Sequence, residues 1–178
     1  FFSVFVLIGC LGGQTNDTSS GKKSGKRSSA LHQEMAIGSE APDFTAKLNN
    51  GEAFTLSDKK GQVILLNFWA TWCSNCVKEM PAIEKLYEEY GDQIVIVGVN
   101  VGEDEDTIDT FIEAKNYSFP VACDAESNIS NLYPSAGIPY TVIIGKDGLV
   151  TETFLGAKDA DSQYTKLRRA LQEAYEAN

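Results

Sequence analysis

Cys73 and Cys76 stand three residues apart in Trp72-Cys73-Ser74-Asn75-Cys76, a spacing at which two thiols can close and reopen a disulfide. The apolar run Val63-Ile64-Leu65-Leu66-Asn67-Phe68-Trp69 ahead of them has the length and the β-branched and aromatic content of a strand. Behind them Val77, Met80, Ile83, Leu86 and Tyr87 recur at three- and four-residue steps, the period of a helix. Cys73 therefore falls at the end of a strand and in the first turn of a helix. Unpaired backbone N–H groups and the helix dipole favour a negative atom there. A thiolate so placed has a lowered pKa, and the thiolate is the nucleophile of disulfide exchange. Cys76 follows one turn later on the same face, within bridging reach. The pair reads as a redox dithiol.

Other uses of two such cysteines fit less well. A zinc site needs two further ligands, and the chain offers only Cys10, Cys123 and His32. Covalent haem attachment needs a histidine after the second cysteine, where Val77 stands. A purely structural bridge across so short a loop would stabilise little. No metal and no cofactor is called for.

The elements that must hold the dithiol can be read along the chain. Phe44, Ala46 and Leu48 alternate, Asn49-Asn50-Gly51 turns, and Ala53, Phe54 and Leu56 follow, the pattern of a hairpin. The helix after Cys73 runs to Tyr90 and ends at Gly91, with Pro81 inside it expected to kink it. Ile94-Val95-Ile96-Val97-Gly98-Val99 has the continuous apolarity of a buried parallel strand, which completes a βαβ unit. An acidic loop over residues 102–106 leads to a helix over 107–116, a short strand over 119–123 and another helix over 125–133. Residues 138–144 and 149–155 form a hairpin about Lys146-Asp147-Gly148. Asp161-Ser162 caps a last helix through Leu167, Leu171 and Tyr175.

The chain has 178 residues, 43% of them hydrophobic, enough for one domain with a sizeable core. Its net charge is −10. Lys22, Lys23, Lys26 and Arg27 are the only basic residues among the first 39, against Asp17 and Glu34. The remaining body is strongly acidic, which argues against a nucleic-acid partner. The chain opens on Phe1-Phe2-Ser3-Val4-Phe5-Val6-Leu7-Ile8-Gly9-Cys10 without Met, like the tail of a truncated secretory segment. Leu7-Ile8-Gly9-Cys10 resembles a bacterial lipobox, which makes Cys10 a lipidation site. Residues 11–39 are poor in large apolar side chains and read as a polar tether. The organisation expected is residues 1–10 signal, 11–39 tether and 40–178 folded domain. That domain contains no histidine, which removes His-based catalysis.

With these residues in place, the body resembles the thioredoxin superfamily, and within it the membrane-tethered TlpA/ResA-like thiol–disulfide oxidoreductases of bacteria. The likeness rests on Asn67-Phe68-Trp69-Ala70-Thr71-Trp72-Cys73-Ser74-Asn75-Cys76, on Glu79 and Pro81, and on Gly137-Ile138-Pro139. It implies an α/β fold: a three-layer sandwich with a mixed central sheet flanked by helices, an N-terminal β-hairpin and a central αβ insertion at 107–123. It implies a cis peptide at Ile138-Pro139 facing the dithiol, so that an extended substrate can pair with the backbone there. Trp72 then flanks the sulfurs and touches substrate, while Trp69 is core. Thioredoxins place a buried Asp two residues before the first Trp of the motif. Asn67 stands there and cannot titrate, so Glu79, one turn after Cys76, is the expected general base and pKa tuner.

The activity implied is extracytoplasmic reduction of protein disulfides through the Cys73-Cys76 couple. Relatives of this kind reduce apocytochrome c and draw electrons from a DsbD/CcdA-type membrane protein, so disulfide-bearing proteins and such a donor are the expected partners of a monomeric, lipid-anchored domain. A peroxiredoxin-like thiol peroxidase is a second reading, but Pro-x-x-x-Thr/Ser-x-x-Cys is not met, since Leu66 and Ala70 hold those places. A non-catalytic thioredoxin-like binding module is a third, against which the intact dithiol, Glu79 and Pro139 stand. Cys123 reads as a small buried hydrophobe.

Overall fold

The structure is a computed structural model that describes residues 34–177. A hairpin of β1 (Thr45–Lys47) and β2 (Ala53–Thr55) precedes β3 (Val63–Trp69) and α1 (Ser74–Tyr90). Then come β4 (Ile94–Val101), α2 (Glu105–Lys115), β5 (Val121–Asp124), β6 (Tyr140–Ile144), β7 (Val150–Leu155) and α3 (Ala160–Glu176). The five-stranded sheet has the order β5-β4-β3-β6-β7. β3 pairs in parallel with β4 and antiparallel with β6, so the sheet is mixed as expected.

β3 is central, and all seven of its residues are buried. That explains its unbroken apolarity: both faces of a middle strand are covered. Val63, Leu65 and Trp69 point to one core, shared with Ile83 and Leu86 of α1, Ile108 and Ile112 of α2, and Leu167 and Leu171 of α3. Ile64, Leu66 and Phe68 point to the other, which the β1–β2 hairpin closes with Phe54, and the chain after β5 closes with Ile129 and Tyr133. Asn49 in the hairpin turn accepts the Val121 N–H on its side chain at 2.9 Å, tying the hairpin to the edge strand β5.

Three sequence expectations are corrected here. Residues 125–133 do not form a helix; they hold only a 3-10 turn, Ser130–Leu132. The Asp124 carboxylate accepts the N–H groups of Ile129 (2.9 Å) and Ser130 (2.7 Å), and Ser127 has a φ of 59°, so the chain is turned back before a helix can propagate. The cap of α3 is Asp159, which accepts the Ser162 N–H at 2.8 Å, not Asp161. The folded body starts before residue 40. The Met35 N–H donates to the Tyr140 hydroxyl at 3.0 Å, and Gly38 and Ser39 exchange backbone bonds with Val150, covering the free edge of β7. The part of the expected tether from Glu34 onward is thus fixed to the domain. Pro81 lies inside α1, which runs on to Tyr90.

One glycine sits where the core is tightest. A Cβ on Gly98 of β4 would lie 2.9 Å from Trp69 Nε1 and 3.0 Å from Phe119 Cε2. Both rings are held in the buried core, so neither can step aside without opening a gap. Gly98→Ala is expected to cost about 1–3 kcal/mol in urea unfolding, and an unchanged midpoint would show the rings to be looser than drawn.

Candidate redox site

The site is built where β3 hands the chain to α1. After Trp69, residues 70–73 make a tight turn closed by the Cys73 N–H donating to Ala70 O at 3.2 Å. Cys73 is the N-cap of α1, and its Sγ accepts the Cys76 N–H at 3.1 Å. This is the helix-terminus placement the sequence suggests, with a backbone donor aimed at the sulfur. Cys73 and Cys76 are joined as a disulfide with Cα atoms 5.2 Å apart. Both are largely covered, but unequally: Cys73 is 8% exposed and Cys76 1%. Only the first can be reached from outside without opening the turn.

The Ile138-Pro139 peptide is cis, and Ile138 O lies 3.7 Å from Cys73 Sγ. Trp72 is 70% exposed, whereas Trp69 is fully buried, as their places in the motif imply. Trp72 and Ile138 line a shallow groove continued by Tyr133, Pro134 and Ser135. The wall beyond Ile138 is the segment that fails to become helix.

Glu79 is buried and not a solvated surface charge. Gln163 Nε2 of α3 donates to its Oε1 at 2.8 Å, and Thr141 Oγ1 of β6 donates to the same atom at 3.3 Å. Asn67 Nδ2 donates in turn to Thr141 Oγ1 at 3.0 Å. Oε2 has no partner among the described residues. Burial raises the Glu79 pKa to about 7, opposed by the hydrogen bonds from Gln163 and Thr141. A carboxyl that titrates near neutrality can take up or release a proton at ordinary pH, and Glu79 stands one helical turn after Cys76 in α1.

Neither Gln163 nor Thr141 is singled out by sequence reasoning. Gln163 had a signal, since it opens the stripe Gln163, Leu167, Ala170, Leu171, Ala174 that α3 turns to the core. An amide on an otherwise apolar face marks a buried polar partner. Gln163→Leu removes the shortest donor to Glu79. Its carboxyl pKa is expected to rise by about one further unit, read by infrared titration of the carboxyl band; an unmoved band would remove Gln163 from the network.

Cys123 is a half-buried free thiol, its Sγ donating to Glu103 O at 3.3 Å, and burial pushes its pKa up. Cys10 and His32 lie outside the described residues. No helix among the described residues is long and apolar enough to cross a membrane.

Comparison with known proteins agrees with this geometry. The model of the AhpC/TSA family matches residues 37–153. The chain is 34% identical over 167 residues to the thioredoxin-like protein YneN of Bacillus subtilis, covering 92% of each. It is 37% identical over 125 residues to the thiol-disulfide oxidoreductase ResA of Bacillus cereus, covering 70% of this chain and 72% of that one. Among solved structures, a putative protein disulfide isomerase from Bacteroides thetaiotaomicron superposes with a TM-score of 0.74 at 29% identity, over 80% of this chain and 91% of the other.

Proposed function

Since the chain belongs to the AhpC/TSA family, as a TlpA/ResA-like member of the thioredoxin superfamily, it is a thiol–disulfide oxidoreductase, and we propose that it works as a reductant of protein disulfides through Cys73 and Cys76. The observation that carries this reading is the pair of groups aimed at one sulfur. The Cys76 N–H lies 3.1 Å from Cys73 Sγ at the helix terminus, and Ile138 O lies 3.7 Å away at the mouth of the groove.

In the reduced protein, Cys73 thiolate attacks one sulfur of a target disulfide. The target S–S bond breaks, its other sulfur leaves as a thiolate and takes a proton, and a mixed disulfide forms. Cys76 then gives up its proton, with Glu79 as the acceptor, and its thiolate attacks Cys73 Sγ. The second target sulfur leaves, and the Cys73–Cys76 disulfide remains. Two electrons pass to the target, and an external dithiol must restore them. Trp72 and the Ile138 backbone bind the target segment beside the sulfurs.

Ser74 and Asn75 between the cysteines add no positive charge to stabilise Cys73 thiolate further. A strong oxidant requires such extra stabilisation of its reduced form, which favours the reducing direction. The substrates fitting this reading are disulfide-bearing proteins outside the cytoplasm, apocytochrome c cysteines among them, with a DsbD/CcdA-type membrane protein as donor. Leu7-Ile8-Gly9-Cys10 supports anchoring through a lipid on Cys10, with residues 11–33 between anchor and body.

The test is reduction of insulin disulfides driven by dithiothreitol, followed by precipitation of the freed chain. Acceleration over dithiothreitol alone supports the reading. Hydrogen peroxide consumption without any thiol exchange would overturn it in favour of a peroxidase.

A further inference from the structure

Thr71, two residues ahead of Cys73, is gripped by a side chain from another part of the chain. Glu103 lies between β4 and α2, at the threshold of the inserted αβ segment. Its Oε2 accepts the Thr71 N–H at 2.7 Å and Asn100 Nδ2 at 2.8 Å. Its Oε1 accepts the Thr71 hydroxyl. Asn100 is the parallel-sheet neighbour of Trp69, so the carboxylate is anchored to the sheet while it holds the turn. The Glu103 backbone oxygen is engaged as well, by the Cys123 thiol.

A surface carboxylate normally turns among waters. This one is held at both oxygens by donors from two strand ends, and charge-assisted bonds of this kind are the stronger sort. The turn it grips has one backbone bond of its own, Cys73 N to Ala70 O. Two things depend on that turn. One is the position of Cys73 Sγ relative to the Cys76 N–H and Ile138 O. The other is the stance of Trp72, the residue directly after Thr71. We infer that Glu103 is a positioning residue for the dithiol, holding residues 70–73 so that Cys73 meets an incoming disulfide in line. The inference rests on the proposed attack by Cys73. The clamp is supplied from the loop that leads out of β4 toward the insertion.

The carboxylate could act through its charge or through its bonds, and glutamine separates the two. In Glu103→Gln the amide oxygen can take the place of Oε2 and accept from Thr71 N and Asn100 Nδ2. The amide NH₂ can donate to the Thr71 hydroxyl. All three contacts survive without the charge. Glu103→Ala loses them all.

The experiment uses the full chain, with insulin reduction measured per folded molecule and the folded fraction set by circular dichroism. Glu103→Ala is expected to lose about tenfold in kcat/KM, the scale of misplacing a reacting group by a fraction of an ångström, and Glu103→Gln to recover most of it. Wild-type rates in Glu103→Ala would overturn the inference, and so would a Glu103→Gln as slow as the alanine variant. Should Glu103→Ala not fold, Thr71→Val removes only the hydroxyl contact. It is expected to slow reduction about threefold, and a wild-type rate there overturns the inference equally. An inactive wild-type protein would instead defeat the proposed reductase reading, so the two failures are distinct.

Discussion

Cys73→Ser reduces insulin no faster than dithiothreitol alone, while Cys76→Ser stops half-way and accumulates a covalent complex with its target. The asymmetry follows from position. Cys73 caps α1 and is the more exposed sulfur, and Cys76 lies beneath it. Serine at 73 is a far poorer nucleophile than a thiolate, so no mixed disulfide forms and the whole acceleration is lost. Serine at 76 leaves the attacking sulfur intact but removes the second one, so the intermediate cannot resolve. Non-reducing electrophoresis followed by mass spectrometry reads the trapped species. The captured proteins would name the physiological substrates. Trapping by Cys73→Ser and not by Cys76→Ser would reverse the assignment of the two thiols.

Glu79→Gln makes the oxidised protein more stable at pH 8, and the gain disappears in acid. The carboxyl has a folded pKa of about 7 against 4.5 in its unperturbed state, because burial penalises its charged form. Below pH 4.5 it is protonated both folded and unfolded, and burial costs nothing extra. Between pH 4.5 and 7 only the unfolded chain releases the proton, so stability falls as pH rises. Above pH 7 the loss is complete, at most about 3 kcal/mol for a shift of this size. Glutamine keeps the bond from Gln163 and carries no charge, so it escapes that loss. Urea unfolding at pH 4.5, 6 and 8 should show the two proteins diverging with pH, and parallel curves would place the Glu79 pKa near its ordinary value. The same substitution should remove the inflection near pH 7 from the rate at which Cys76 releases the target. If that profile is unchanged, Glu79 is a buried acid with no part in proton transfer.

Much of this arrangement was legible because strong local signals and tertiary demands agree. β3 is uniformly apolar because it is the middle strand, and α1 shows a clear period because one side of it faces the core. Cys73 and Cys76 could be placed from their spacing between a strand and a helix, and Trp72 and Pro139 from the resemblance to the thioredoxin superfamily. What stayed hidden depends on contacts between distant residues. The segment after β5 has helical-looking content, yet Asp124 captures two of its amides and turns it. Residues 34–39 carry no strand pattern, and only the unfilled edge of β7 gives them a place. Glu79 could be expected on the same face of α1 as Cys76 from its helical offset. Its burial raises its pKa, and the two donors that oppose that rise, Thr141 and Gln163, stand 62 and 84 residues further on. Glu103 read as one acid in an acidic loop, because nothing local reveals that it reaches back to Thr71.

The bond from Gln163 to Glu79 also bears on biogenesis. Both cysteines, Pro139 and the sheet all precede α3 in the order of synthesis. While the last helix is still to emerge, Glu79 lacks its lid and its best donor, and water keeps it an ordinary acid. The thiols therefore exist before Glu79 reaches its raised pKa. A nascent chain has both sulfurs early, but Glu79 gains its covering and its bond from Gln163 only when α3 docks.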